Sequence, residues 1–168
     1  AGVIALDGDW DSLYDTEFQQ QAQAGLVDAD QGFLYFAYPP LVAAVYSALA
    51  GLEYRWSYLA RTMLMALALA GAVQMACPLA PVVDRYPVAA FAVALLTYPL
   101  YREVTGGQDT ALTLLLIVAA ARLERAERWT ALGVIVGLML YKPQFVLLYL
   151  ALLVIRRRWR AIATASAV

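Results

Sequence analysis

The chain has 168 residues, of which 63% are hydrophobic and 15% charged, and its formal net charge is −1. Soluble domains have about 45–50% apolar and about 25% charged residues, so this composition indicates an integral membrane protein. The chain has no histidine and one cysteine, which excludes a Ser-His-Asp triad, a thiolate metal cluster and an internal disulfide within it. It has no basic face interleaved with aromatic residues, so nucleic-acid binding is not expected.

The acidic residues are concentrated near the start of the chain. Residues 1–33 contain seven Asp or Glu and no Lys or Arg, a balance typical of a loop on the non-cytoplasmic side. We therefore expect an external acidic loop over 1–33 and a transmembrane helical region over 34–168. We expect this helical region to be an incomplete domain, with its N-terminal helix and its C-terminal part outside this sequence.

The first predicted elements are a short helix and two apolar spans. The pattern DTEFQQQAQAGL predicts a helix that Asp15 or Thr16 could cap. A first apolar stretch runs from 34 to 52, and the double proline Pro39-Pro40 near its start predicts a rigid helix entry. A second apolar stretch covers 56–76.

The remaining apolar stretches are short or interrupted. They cover 88–101, 109–121 and 130–155, and the last contains Lys142-Pro143-Gln144 near its middle. A bilayer core requires about 20 helical residues, so several of these stretches are too short to cross alone.

Two arginine clusters leave two topologies open. RRRWR after residue 155 is the stronger cytoplasmic signal, and ARLERAER before residue 130 is weaker because it mixes in glutamates. If both clusters are cytoplasmic, 130–155 is a hairpin with Lys142 at its external tip, and the 86–101 segment is re-entrant or interfacial. Alternatively, 130–155 is one kinked span, 86–101 crosses, and residues 106–109 face the cytoplasm.

Lys142 is the most prominent polar residue in the apolar sequence. An ionisable side chain inside an apolar span is costly and indicates function, whereas a lysine that snorkels to the interface is the alternative. A cation here could hold a phosphate. Gly133 and Gly137 form a GxxxG pattern one turn earlier, which predicts close helix packing.

Two further polar or aromatic groups adjoin predicted helices. Gln108 and Asp109 follow a glycine pair where a helix begins, so Asp109 is either a simple N-cap or part of an anion or sugar site at a helix N-terminus. Tyr38 lies in FAYPPL, which predicts either a helix entry or an aromatic belt at the membrane surface. Asp7 and Asp9 could form a base or metal site, but alternate acidic residues in a polar loop are usually only solvated.

Five stretches of the sequence occur in a characteristic order. They read SLYDTEFQQQ, FAYPPL, GGQD, LGVIVGLMLYKPQ and RRRWRA. Together they resemble glycosyltransferase family 87, the polyprenol-phosphate-dependent membrane enzymes of the GT-C superfamily, over nearly the whole chain. The family's pattern of Tyr-Asp, Tyr-Pro-Pro, Gly-Gln-Asn and Lys-Pro corresponds here to Tyr14-Asp15, Tyr38-Pro39-Pro40, Gly107-Gln108-Asp109 and Lys142-Pro143.

The resemblance implies an all-α, polytopic integral membrane protein, a partial GT-C-like helical bundle with its active side external or periplasmic. The implied reaction transfers a mannose- or arabinose-like sugar from a polyprenyl-phosphate donor to a cell-envelope glycan or glycolipid. A divalent metal is compatible with that reaction but not required, and membrane lipids are expected partners. The residues that we expect to bind substrate are Tyr38, Arg102, Gln108, Asp109, Lys142 and Gln144.

Two departures from the family pattern affect the expected site. Asp109 replaces the asparagine, so an ionised side chain here can accept but not donate a hydrogen bond. The family's catalytic aspartate is expected upstream of Ala1, which leaves Asp7 and Asp9 as weak candidates within the chain. A non-enzymatic transporter or lipid-binding protein is the alternative, because broken helices and a mid-span lysine also fit a transporter.

Overall fold

The computed structural model describes residues 1–24, 33 and 35–168. All regular secondary structure in these residues is helical, in agreement with the expected all-α fold class. Within the same residues, Tyr54–Leu79 is the one segment that is long and apolar enough to cross a membrane, judged by length and composition. The chain forms two compact units, Ala1–Met63 and Leu64–Val168, and the predicted domain boundary after residue 33 stays a prediction.

The first unit is built from short helices. The cap prediction is confirmed, because the Asp15 carboxylate accepts hydrogen bonds from the backbone N–H groups of Glu17 and Phe18 at 2.9 and 3.0 Å. The buried Gln19 donates to the Leu13 carbonyl at 2.8 Å and accepts from the Phe36 N–H at 2.9 Å. The helices are α1 (Gly2–Leu6), α2 (Thr16–Ala24), α3 (Pro40–Ala50) and the start of α4 (Tyr54–Ala76).

The predicted span over 34–52 is shorter in the structure. The double proline sets the helix entry as expected: Pro39 is the extended N-cap residue of α3 and Pro40 its first helical residue. Its 11 residues cover about 16 Å at 1.5 Å per residue, which is well below the roughly 30 Å of a bilayer core. Leu34 lies outside the described residues.

Prolines divide the second unit into short helices. A proline stands in the first turn of α5, α6, α7 and α10, where its missing N–H leaves no helical bond unmade. Together with the rest of α4, the helices are α5 (Pro81–Arg85), α6 (Pro87–Leu95), α7 (Tyr98–Gly106), α8 (Thr110–Arg125), α9 (Trp129–Leu138), α10 (Pro143–Ile155) and α11 (Trp159–Ala165).

In this unit, α4 and α8 run in the same direction. Met65 belongs to the same buried cluster as Ala111 at the start of α8, and Arg125 at the end of α8 donates to the carbonyl of Pro78, just after α4. The segment that connects α4 to α8 therefore runs back along the length of α8. Most of this segment forms the two short helices α6 and α7. The expectation that the 86–101 segment is re-entrant or interfacial counted a full span over 34–52, whereas α3 has 11 residues; this expectation stays a prediction.

Residues 130–155 form a hairpin. A single helix of this length would separate its ends by about 40 Å. Instead, the Arg158 guanidinium lies 4.0 Å from the centre of the Trp129 ring, and Arg156 pairs with Glu124. The chain turns back at Lys142, because the residue before a proline is pushed out of the helical conformation. Of the two arrangements left open by the sequence, the structure therefore adopts the hairpin.

The packing of α9 against α11 confirms the role predicted for the glycine pair. A Cβ atom on Gly133 would lie 2.6 Å from Thr164 Cβ, and one on Gly137 would lie 2.7 Å from Val168 Cβ. Gly133 lies against the Ala161 carbonyl and Gly137 against the Ala165 carbonyl. Each step is four residues in the same direction, so α9 and α11 are parallel. Only residues without a side chain allow the helices to come this close.

Candidate functional site

The second unit has two chemically different ends. We call the end that contains Glu103, Asp109, Thr113, Tyr141 and Lys142 the polar end. We call the opposite end, where the chain reverses at 126–128 and at 156–158, the arginine end. Helices α8, α9 and α10 each connect one end with the other.

Lys142 lies at the break between two helices. A 3-10 turn over Met139–Tyr141 follows α9, and Pro143 begins α10. Lys142 itself is not helical, with φ −129° and ψ 83°, and its N–H donates to the Met139 carbonyl at 2.8 Å. The partly buried side chain therefore leaves the tip of the hairpin instead of lying along an apolar helix face.

A compact hydrogen-bond network surrounds the Lys142 ammonium. Lys142 Nζ donates to Thr113 Oγ1 at 2.9 Å and to the Asp109 carbonyl at 3.5 Å. The Thr113 hydroxyl donates its single proton to the Asp109 carbonyl at 2.6 Å, so it accepts from Tyr141 Oη, which lies 2.7 Å away. An ammonium has three N–H donors, and these two bonds leave one for a ligand.

Glu103 takes the capping role that the sequence suggested for Asp109. Asp109 occupies the N-cap position of α8 without a side-chain cap hydrogen bond. Instead, the Glu103 carboxylate, on α7, accepts from the Ala111 N–H at 2.5 Å. An incoming anion would therefore compete with Glu103 for the N-terminus of α8.

Charge at the polar end is partly balanced. The carboxylates of Asp109 and Glu103 both attract the Lys142 ammonium. Asp109 is 2% exposed and Glu103 5% exposed. Lys142 is therefore more accessible than either carboxylate, and the main-chain carbonyl of Asp109 contacts its ammonium.

The other predicted residues differ in location. Gln108 and Gln144 are exposed at the polar end. Gln108 directly precedes Asp109 in the chain, and Gln144 follows Lys142 by two residues. Arg102 is partly buried, and its guanidinium folds against Gly106, where a Cβ would lie 2.9 Å from Arg102 Cζ. The structure thus gathers the predicted residues of the second unit at one end.

Three predicted residues belong to the first unit. Asp7 and Asp9 are exposed. Tyr38 is partly buried, and its carbonyl accepts from Tyr14 Oη at 2.9 Å. In the part of the chain that the structure describes, no group of three or more His, Cys, Asp or Glu side chains could hold a metal ion.

Sequence reasoning missed three members of the polar end. Thr113 lies four residues after Asp109, and this helical spacing places its hydroxyl beneath the Asp109 carbonyl. Tyr141 directly precedes Lys142, and Glu103 lies in a mostly apolar stretch before the glycine pair. An isolated carboxylate in such a stretch was the available signal for Glu103, whereas Thr113 and Tyr141 gave none.

Comparison with protein-family models identifies the chain's relatives. The model of glycosyltransferase family 87 matches residues 36–168. The chain belongs to glycosyltransferase family 87. Comparison with curated proteins and with solved structures gave no match.

Membership of family 87 gives the site a chemical context. A glycosyltransferase requires a sugar donor and an acceptor, and the family is membrane-associated. The matched region includes Tyr38 and the whole polar end, whereas Asp7 and Asp9 lie before it. The family favours a transferase over the transporter that the broken helices also allowed.

Proposed function

We propose that this family 87 protein transfers a mannose- or arabinose-like sugar from a polyprenyl-phosphate donor to a cell-envelope glycan or glycolipid. The observation that carries this proposal is the position of Lys142 Nζ, which is held at the hairpin tip by Thr113 and the Asp109 carbonyl. A cation fixed in this way suits the phosphate of a lipid-linked donor. Apolar helices end at the same place, and their surfaces suit a prenyl chain.

The proposed reaction is a single in-line displacement. The acceptor oxygen forms a bond to the anomeric carbon, the bond from that carbon to the phosphate oxygen breaks, and the lipid phosphate leaves with the electron pair. An aspartate takes the proton of the acceptor hydroxyl as general base; within this chain Asp7 and Asp9 are only weak candidates for it. Negative charge develops on the leaving phosphate, where Lys142 stabilises it, with Arg102 as a second cation.

The remaining substrate-binding residues have proposed roles that follow from their exposure. Gln108 and Gln144 are exposed at the polar end, and we assign their amides to contacts with sugar hydroxyls. Tyr38 offers an aromatic surface to a sugar or to the membrane interface. Asp109 is buried, so it contributes by positioning Lys142.

We further propose a multi-pass orientation with the polar end outside. The arginine end carries Arg residues in both chain reversals, and such residues favour the cytoplasmic side. Since α8, α9 and α10 join the two ends, the polar end is then the end nearer the external or periplasmic side; α8, the longest of the three with 16 residues, covers about 24 Å of that depth. This is the side expected for an enzyme that uses a polyprenyl-phosphate sugar.

Two measurements test the function and the orientation. The first is transfer of labelled sugar from a polyprenyl-phosphate donor by the protein in membranes. The second is labelling of single cysteines at Gln144→Cys and Arg157→Cys, in a Cys77→Ala background, with a membrane-impermeant maleimide. We expect transfer, with Gln144→Cys labelled from outside and Arg157→Cys protected. Substrate flux across vesicles without any transfer would contradict the enzyme, and the reverse labelling pattern would contradict the orientation.

A further inference from the structure

The arginine end contains a cavity that the transfer reaction does not use. It measures about 540 Å³, and three arginines, two glutamates and a tryptophan contribute to its wall. We propose that this cavity binds the phosphate headgroup of an anionic phospholipid of the surrounding bilayer. The residues that form its polar part are Arg125, Arg156, Arg158, Glu124, Glu127 and Trp129.

The arginines of this cavity are already oriented by the protein. Arg125 donates one N–H to the Pro78 carbonyl, and Arg156 pairs with Glu124. The Arg158 guanidinium stacks over the Trp129 ring at 4.0 Å, which uses the face of the group and leaves its N–H edge for a ligand. Guanidinium groups held in this way bind phosphate through paired hydrogen bonds.

The surroundings of the cavity favour a lipid as the source of the phosphate. The last turn of α10, next to the cavity, exposes Val154 and Ile155, which are 48% and 76% accessible. Acyl chains can cover such a surface, whereas a free phosphate ion cannot. Trp129 is also of the type found where hydrocarbon meets headgroups, and basic pockets at helix ends are known to take acidic lipid headgroups.

A simpler role for these arginines makes a different prediction. If they only fix the orientation of the chain, each arginine of the segment 156–158 contributes through charge alone. In the structure, Arg156 and Arg158 line the cavity and Arg157 does not. Arg157→Gln removes the same charge from the same turn, so it is the matched control.

The test measures lipid binding by the purified protein in nanodiscs. Native mass spectrometry counts phosphatidylglycerol retained against a phosphatidylcholine background. We expect Arg156→Gln and Arg158→Gln each to weaken retention about fivefold, and Arg157→Gln no more than about twofold.

Three outcomes would overturn the proposal. The first is equal retention of the two lipids by the wild-type protein. The second is a loss for Arg157→Gln as large as that for its two neighbours. The third is displacement of the lipid by millimolar inorganic phosphate, which would assign the cavity to the free ion. A thermal unfolding midpoint for each variant separates a lost lipid site from a protein that fails to fold.

This inference rests on the proposed membrane setting, but its failure is distinguishable from failure of the proposed function. Lipid retention is measured without a sugar donor, and the arginine variants leave Lys142 and the rest of the polar end unchanged. Loss of transfer with intact lipid retention would contradict the function alone. Intact transfer without selective retention would contradict the lipid site alone.

Discussion

The side chain of Lys142 provides the most direct test of the proposed donor site. Lys142→Gln removes the ammonium and keeps a polar side chain at the helix break. Two hydrogen bonds are lost, a good one to Thr113 at 2.9 Å and a marginal one to the Asp109 carbonyl at 3.5 Å. Thr113 keeps its bonds to Tyr141 and Asp109. Because Lys142 is also partly exposed, we expect the free energy of unfolding to fall by only about 1–2 kcal/mol.

The expected loss of activity is much larger than this loss of stability. A preorganised donor that faces developing charge contributes about 3–4 kcal/mol to the transition state, so kcat should fall about 100- to 1,000-fold. Lys142→Arg keeps the charge and is the matched control, with an expected loss of no more than about tenfold. The assay is sugar transfer from a labelled polyprenyl-phosphate donor, with thermal unfolding measured on the same preparations.

One result would refute this account of Lys142. A folded Lys142→Gln protein with kcat/KM within about twofold of the wild type would show that the ammonium does not act on the donor phosphate. The lysine would then serve only to hold the hairpin tip against α8. A large loss of activity shared equally by Lys142→Arg would instead indicate that the fit of the side chain matters more than its charge.

The hairpin and its packing give two further predictions. Thr113→Val removes the hydroxyl that holds Lys142, so we expect about 1–3 kcal/mol less stability and about tenfold lower kcat/KM. Thr113→Ser keeps the hydroxyl and should retain both the stability and the activity. Equal activity of the two variants would contradict the network. Gly133→Ala would place a methyl group 2.6 Å from Thr164 Cβ and should cost about 1–3 kcal/mol in chemical denaturation. The control Gly51→Ala enters open space, so similar losses for both variants would contradict close packing.

Several features of the protein were accessible from the sequence because their physical signals are local. The apolar stretches predicted helices, and all regular secondary structure of the described residues is helical. The cap at Asp15 and the helix start at Pro39-Pro40 each depend on neighbours within a few residues, and the GxxxG spacing of Gly133 and Gly137 is itself a local pattern. The ordered motifs also pointed to family 87, which the match over residues 36–168 then showed.

The candidate site was accessible only in part. The sequence singled out Lys142 and Asp109 because polar residues are costly within apolar stretches. Lys142 bonds to Thr113, 29 residues away, and to the Asp109 carbonyl, 33 residues away. A lone threonine or tyrosine in an apolar helix gives no such signal. Glu103 was missed for a related reason, since its capping bond crosses from one helix to the next.

The sequence by itself determined the helical class and the family, whereas the direction of the chain after Lys142 was decided only by the tertiary structure. A turned hairpin and a kinked span would have the same apolar sequence, so hydrophobicity could not distinguish them. The choice depends on long-range pairs: Arg156 with Glu124, Arg158 on Trp129 and the glycine face of α9 against α11. These pairs form only when α10 runs back beside its neighbours, and the same packing brings Lys142 to Thr113 and Asp109.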